Sequence, residues 1–156
     1  MPSYTVRHAD ASDVDAVAAL VNRAFAVELF FKTGDRTDAA QIRELLNHGP
    51  FLLLTNSETL IAAVHVKLNA DRIYIGMLAV DPAQQKSGIG SRLMREAEDF
   101  GRRAGCKFAD LRVVSVRPEL PQIYGKLGYV ESGTESAAVI KTATTPVHFI
   151  TMSKPL

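Results

Sequence analysis

The segment from Ile73 to Arg103 constrains the fold more than any other part of the chain, because its residue pattern changes twice. Its first part, Ile73 to Val80, is apolar and rich in β-branched and aromatic residues, which predicts a β-strand. Asp81-Pro82 ends this strand, since proline has no N–H for a strand ladder and restricts the residue before it. From Ser91 onward, apolar residues recur with the helical period at Leu93, Met94, Ala97 and Phe100.

The turn between this strand and helix contains Gly88 and Gly90. A helix N-terminus offers unpaired N–H groups and a partial positive charge, and glycines let an anion approach bare backbone. The turn therefore predicts a phosphate-binding site, the alternative being an ordinary turn with two glycines. A Walker loop is excluded because Lys86-Ser87 precedes the glycines, and a dinucleotide fingerprint is excluded because Leu93 stands where a third small residue is needed.

Composition bounds the class of protein. The chain has 156 residues, 47% hydrophobic and 22% charged, which predicts one globular domain over residues 1–156. A net charge of +1 gives no reason to expect nucleic acid or an anionic membrane as partner. No apolar run has the length of a membrane span, and Cys106 is the single cysteine, so a reducing cytoplasmic location is expected.

The remaining elements follow from periodicity and turn residues. Three consecutive strands with short links, around the Asn56-Ser-Glu and Asn69-Ala-Asp71 turns, predict an antiparallel meander. The strand after the long helix should pair parallel to Ile73–Val80, since a helical crossover connects the two. The predicted order is a strand at Tyr4–His8, a helix after Asp10 or Ser12, a helix from Thr37 or Asp38, strands at Phe51–Thr55, Leu60–Leu68 and Ile73–Val80, the long helix, a strand at Phe108–Val116, a short helix at Leu120–Leu127, and strands at Tyr129–Ser132 and Val147–Met152.

The segment from Glu28 to Thr37 loses every regular pattern. Phe30 and Phe31 are expected to close the core beneath it. The alternative is a substrate loop, with the aromatic residues as its wall and a carboxylate as partner for an amine. The candidate carboxylates are Glu28, Asp35 and Asp38.

The motif Gln85-x-x-Gly88-x-Gly90 directly after Leu78-Ala-Val-Asp-Pro, together with Ile123-Tyr124-Gly-Lys-Leu127-Gly128-Tyr129, resembles the GNAT superfamily of N-acetyltransferases. The order of elements is similar as well, so the resemblance covers nearly the whole chain. It implies a single α/β domain with a mixed, mostly antiparallel sheet, one parallel strand pair and flanking helices. It also implies acetyl-CoA as cosubstrate and no metal.

The resemblance implies a role for particular residues around the turn. Backbone groups of Leu78, Ala79 and Val80 would pair with the pantetheine arm as though it were an added strand. Backbone N–H groups from Gln85 to Ser91 would bind the pyrophosphate, and Lys86 or Arg92 would add charge. The implied pyrophosphate segment in full is Gln85, Lys86, Ser87, Gly88, Ile89, Gly90, Ser91 and Arg92.

Tyr124 matches the general acid of this family, which protonates the departing CoA thiolate; the alternative is a tyrosine that packs the short helix. A strand N–H near Met77 or Leu78 would polarise the thioester carbonyl. The general base is open, because the strand from Arg72 to Val80 lacks the glutamate that many members carry. His65 on the neighbouring strand has a suitable unperturbed pKa. A strand histidine such as His65 or His148 is more often structural, and water or Glu28 would be alternatives.

The resemblance implies an enzyme that transfers an acetyl group directly from acetyl-CoA to a small amine, or to a peptide amine, in a ternary complex. A non-catalytic acyl-CoA-binding module or sensor is the alternative, and the presence of Tyr124 beside an intact turn favours the enzyme. Members of this family are often dimers, so a homodimer is one expectation for this chain.

Overall fold

The computed structural model describes residues 3–85 and 87–156. One sheet contains the seven strands, and helices pack on both of its faces. Short 3₁₀ turns cover Ala11–Asp13, Phe25–Phe30 and Pro82–Gln84. The elements are β1 (Tyr4–His8), α1 (Val14–Ala24), α2 (Ala39–Leu46), β2 (Phe51–Asn56), β3 (Thr59–Asn69), β4 (Arg72–Val80), α3 (Ile89–Arg103), β5 (Phe108–Val114), α4 (Glu119–Lys126), β6 (Val130–Ser136) and β7 (His148–Pro155).

The strand order is β1-β2-β3-β4-β5-β7-β6. β2, β3 and β4 form the antiparallel meander predicted from the short turns, and β4 pairs with β5 in parallel. The predicted α/β fold, a mostly antiparallel sheet with one parallel pair, is therefore confirmed.

The parallel pair is short. β4 and β5 are in register over Arg72–Tyr74 and Phe108–Asp110, and no later rung joins them within the described residues. Beyond Tyr74, β4 continues beside β3 to Val80, whereas β5 pairs on its other side with β7. The sheet consequently contains a gap between the carboxyl-terminal parts of β4 and β5, which we call the β4–β5 gap.

A β-bulge lies in β4 at the start of this gap. His65 pairs with Gly76 and Ala63 pairs with Ala79, so β4 has one more residue than β3 between these rungs. Met77 has a φ of 51°, which is uncommon for a residue with a side chain. The bulge reverses the alternation of β4 side chains between the two faces of the sheet. Ile75 packs on the face covered by α3, whereas Ala79, four residues later, packs on the face covered by α1.

Each face of the sheet has its own core. The α3 face buries the apolar stripe of α3 against Ile73, Ile75, Leu111 and Val113. On the α1 face, α1 and α2 cover Phe51, Leu53 and Ala63. A smaller cluster on the same side of the sheet contains Phe31, Val114, Ala137 and Phe149, and it fixes the segment between α1 and α2 against β5 and β7.

The structure decides between some of the predicted alternatives and differs from the prediction in other details. Phe31 is buried as expected, but Phe30 is 59% exposed and does not close the core. Asp10 is the residue that caps the first helical turn, and Asp38 caps α2 by accepting from the Gln41 N–H. β6 extends to Ser136, past the predicted end at Ser132, because it pairs along the length of β7.

Candidate acyl-CoA site

The N-terminus of α3 has the geometry of an anion site. Gly88 is the N-cap, with a φ of 81° that favours glycine, and among the described residues no side chain caps this helix. The Arg92 N–H donates to the Gly88 carbonyl at 3.0 Å and is therefore used by the helix. The N–H groups of the first turn, at Ile89, Gly90 and Ser91, remain directed out of the helix end.

The two glycines leave space where a ligand would approach. A Cβ on Gly88 would meet no atom within 4 Å, and a Cβ on Gly90 would lie 3.7 Å from Val80 Cγ2, an ordinary contact. The packing of the chain therefore does not require glycine at position 90. A ligand that approaches the backbone closely would require it, so the residues fit a bound phosphate.

The loop before α3 is held by its own hydrogen bonds. Gln85 Nε2 donates to the Val80 carbonyl at 3.2 Å, and Ser87 Oγ donates to the Gln84 carbonyl at 2.5 Å. Of the predicted pyrophosphate residues, Ile89 directs its side chain into the core, and Arg92 is half-buried. Lys86 lies outside the described residues.

The predicted pantetheine strand borders the β4–β5 gap. Leu78 and Val80 are half-buried and pack against the α3-face core, and Ala79 is buried on the opposite face. The Val80 carbonyl is already engaged by Gln85, so an added strand would pair with other backbone groups of this stretch.

Tyr124 is half-buried on α4 and packs against the α3-face core. Its ring meets the Tyr129 ring edge-on, with centroids 6.2 Å apart. Burial raises the pKa of the Tyr124 hydroxyl, and the Arg117 charge opposes this only in part. The hydroxyl is therefore protonated at neutral pH, which is the state that a proton donor needs.

A buried charged network supports the Tyr124 segment. Glu98 on α3 accepts from the Tyr129 hydroxyl at 2.7 Å and from Lys154 Nζ on β7 at 2.9 Å. Burial and the adjacent Glu98 carboxylate raise the pKa of Tyr129. Glu98 was not predicted from the sequence. Its position four residues after Met94, on the apolar side of α3, is the signal that could have identified it.

His65 has the environment of a core histidine. It is 4% exposed, its ring packs on Phe51, and Nε2 lies 2.7 Å from the Leu45 carbonyl and 3.0 Å from the Gly49 carbonyl. Nε2 must carry the proton, because carbonyl oxygens only accept. Burial lowers the pKa of the ring, which keeps it neutral. We assign His65 a structural role; His148 is exposed on β7.

The segment between α1 and α2 is closely tied to the rest of the fold. Glu28 is 5% exposed, and its Oε2 accepts from Arg117 at 3.1 Å. Lys32 forms a bridge with Ala143 in the connection between β6 and β7. Of the other candidate carboxylates, Asp38 is occupied as the α2 cap, and Asp35 is exposed.

An open pocket of about 410 Å³ lies between the end of α1, the loop before α3 and the start of α4. Its lining includes Ala24, Val27, Pro82, Gln85 and Arg117. It connects the loop of the anion site to the segment that carries Glu28. A larger hollow of about 900 Å³ lies at the end of α2, away from all the predicted cofactor residues.

Within residues 3–85 and 87–156, no group of three or more His, Cys, Asp or Glu side chains could hold a metal ion. No helix in these residues is long and apolar enough to cross a membrane.

An uncapped helix N-terminus beside the carboxyl end of a parallel strand is the arrangement with which α/β proteins bind phosphate-bearing ligands. The chain belongs to the acetyltransferase (GNAT) family, whose model matches residues 15–129. The predicted resemblance to N-acetyltransferases is thereby confirmed.

The sequence identity between this chain and individual known proteins is low. The chain is 34% identical over 94 residues to streptothricin acetyltransferase of Streptomyces lavendulae, an alignment that spans 60% of this chain and half of that protein. It is 27% identical over 136 residues to aminoalkylphosphonate N-acetyltransferase of Salmonella typhimurium, covering 85% of this chain and 88% of that one. The ribosomal-protein-S18-alanine N-acetyltransferase structure from Escherichia coli superposes with a TM-score of 0.80 at 19% identity over 98% of this chain and 94% of that chain, which shows the shared fold.

Proposed function

We propose that this chain transfers an acetyl group from acetyl-CoA to a small amine by direct attack in a ternary complex. The observation that carries the proposal is the uncapped N-terminus of α3 with open space at Gly88 and Gly90, beside the β4–β5 gap. Charge-assisted N–H···O bonds are about twice as strong as neutral ones, so several first-turn N–H groups could dominate the affinity for a pyrophosphate.

The residues around the gap take separate roles in this proposal. The cosubstrate supplies an activated acyl thioester. Backbone groups of Leu78 and Ala79 align its arm along β4, and a strand N–H near Met77 polarises the thioester carbonyl. Tyr124 donates its hydroxyl proton to the departing sulfur. The amine must arrive neutral, and water is the base that we propose, because the His65 ring is packed on Phe51 and its burial lowers the pKa of the ring, which disfavours proton uptake.

Replacing Gly90 with aspartate tests the anion site. Gly90→Asp places a Cβ and a carboxylate where the pyrophosphate would lie, so acetyl-CoA affinity should fall below detection while the helix still forms, since acidic residues suit a helix N-terminus. Ala40→Asp is the matched control, because Ala40 is the second residue of α2 as Gly90 is of α3. Calorimetry with acetyl-CoA on folded variants gives the result.

Calorimetry and an acetylation assay with a broad amine panel together separate the candidate functions. Unchanged acetyl-CoA affinity in Gly90→Asp would place the anion site elsewhere. Binding by the wild type without acetylation of any amine in a broad panel would favour the acyl-CoA-binding module.

A further inference from the structure

A group of cations lies on the α1 face of the sheet, next to the β4–β5 gap. Lys32 and Arg36 come from the segment between α1 and α2, Arg112 from β5, and Arg117 from the turn after β5. We call these four residues the basic cluster. The basic cluster was not predicted from the sequence, because its members come from separate elements and share no motif.

Tyr74 lies near two members of the basic cluster, Arg112 and Arg36. Tyr74 pairs with Asp110 at the last rung before β4 and β5 separate, and Arg112 is two residues further along β5 on the same face. Burial raises the pKa of the Tyr74 hydroxyl, and the nearby charges of Arg112 and Arg36 oppose that shift. Arg36 from the segment between α1 and α2 and Arg112 from β5 therefore both lie near Tyr74, at the start of the gap.

The carboxylates near the basic cluster do not satisfy all of it. Glu28 accepts from Arg117 at 3.1 Å and lies 3.9 Å from Lys32, which is too far for a hydrogen bond. Arg112 lies 3.4 Å from Glu135, and its guanidinium stacks on the Phe149 ring. A second carboxylate, Glu119, meets Arg117 at 3.5 Å from the exposed side.

Arg36 is the member of the basic cluster whose charge is not paired with a carboxylate among the described residues. Its guanidinium lies over the Phe25 ring at 5.4 Å, and within the described residues no carboxylate approaches it to 4 Å. Burial lowers the pKa of Arg36 and of Lys32; the Glu28 carboxylate opposes this shift in both, and a neighbouring arginine adds to it. Holding partly buried cations close together is costly unless an opposite charge is added.

We propose that the basic cluster binds an anionic group on the acceptor, so that the substrate is an amine that also carries a carboxylate or phosphonate. This rests on the proposed function, because it assigns the acceptor of the same reaction. Arg36 and Lys32 would contact the anion, and Arg112 would add a second guanidinium. The amine would then point along β4 past Gly76, where the backbone has no side chain, toward the thioester position at Met77.

The test uses three acceptors with the same two-carbon spacing: 2-aminoethylphosphonate, β-alanine and ethanolamine. The wild type should favour the two anionic amines over ethanolamine in kcat/KM. In Arg36→Gln this preference should fall by about 10- to 100-fold, the range expected for losing a hydrogen bond to a charged group. Arg36→Lys should restore part of it, and Arg103→Gln, an exposed cation at the far end of α3, should not change it.

Calorimetry of methylphosphonate binding tests the proposed anion site without requiring turnover. Binding by the wild type and its loss in Arg36→Gln would support the site, and the same loss in Arg103→Gln would overturn it. A wild type without preference for anionic amines, or a loss of acetyl-CoA affinity in Arg36→Gln, would also overturn the proposal. Methylphosphonate binding without acetylation of these three amines or of any amine in the broad panel would instead refute the proposed function and leave the anion site standing.

Discussion

A substitution at Tyr124 can separate an effect on the chemical step from an effect on acetyl-CoA binding. Tyr124→Phe keeps the ring that packs edge-on to Tyr129, so folding and acetyl-CoA affinity should barely change. If the hydroxyl protonates the leaving sulfur, kcat should fall by about 10² to 10⁴, the usual range for a positioned acid. The low end is expected, because a thiolate with a pKa of about 8.5 is a tolerable leaving group.

The choice of acyl donor provides the control for Tyr124→Phe. With an acyl thioester of a more acidic thiol, the thiolate leaves without a proton, so the loss in Tyr124→Phe should shrink. Equal losses with both donors would make Tyr124 a positioning residue, and no loss with either would leave it a packing residue. Both must be measured where chemistry limits the rate. Tyr4→Phe, at the remote β1 edge, should behave as the wild type.

At the scale of elements, the close approach of α3 to β4 places the uncapped helix end beside the gap. A Cβ on Gly101 would lie 2.8 Å from Ile73 Cγ2, so the helix can approach the strand this closely only with glycine there. Gly101→Ala should therefore destabilise the fold by about 1 to 3 kcal/mol, the usual cost of overpacking. Urea unfolding of purified variants measures this.

A double-mutant cycle identifies the cause. Ile73→Ala removes the Cγ2 atom, and its own cost is that of a buried cavity. The cost of Gly101→Ala should be much smaller in the Ile73→Ala background, because the clashing atom is absent. Additive costs would show that Gly101 matters for another reason, such as the helix backbone itself.

The sequence predicted elements well where the pattern is local. The α3 stripe and the Asp81-Pro82 stop are encoded in neighbouring residues, so the strand-turn-helix unit and the glycine turn were predictable. The bulge at Met77 was not predicted: its positive φ falls on a methionine and is set by the pairing of β4 with β3, although Gly76 directly before it is a residue type that often marks a bulge inside a strand. The basic cluster was also hidden, because long-range packing brings Arg36 to Arg112.

His65 shows the limit of reasoning from a pKa range alone. The unperturbed pKa of histidine made it a candidate base, but the ring is enclosed by the end of α2 and by Phe51. Tertiary packing decides which atoms of a titratable side chain are free to exchange a proton with a substrate, and the sequence of a single strand does not show this.

At the scale of the whole molecule, the short β4–β5 pairing joins two parts of the sheet. It is reinforced by Arg72, which donates to both oxygens of Asp110 at 2.7 Å, and by Ser153 on β7, which donates to the same carboxylate at 2.6 Å. The Arg72 guanidinium also stacks on the Phe108 ring at 4.6 Å. A single carboxylate thus links three strands.

This link should make stability depend on pH. The hydrogen bond from Arg72 lowers the pKa of Asp110 below its usual 3.8. Its stabilisation is therefore fully present above about pH 4 and is lost as the pH falls through the lower pKa of the folded state. Asp110→Asn should be less stable than the wild type at pH 7, and the difference should close in strong acid.

Urea unfolding at a series of pH values measures this difference. Asp35→Asn, at an exposed carboxylate, serves as the control and should follow the wild type throughout. A difference between Asp110→Asn and the wild type that stays constant down to pH 2 would mean that the Asp110 charge does not contribute.

The β4–β5 gap also affects how readily the ligand-free protein associates with other chains. Past Tyr74, β4 lies in the middle of the strand order, yet on the side of β5 it has the properties of an edge strand. Its sequence there, Ile75-Gly-Met-Leu-Ala-Val80, is uncharged and apolar, and such an edge is a template for pairing with another chain. In the proposed function the acyl-CoA arm would cover this edge, so a molecule without the arm exposes an unpaired apolar strand edge in the middle of its sheet.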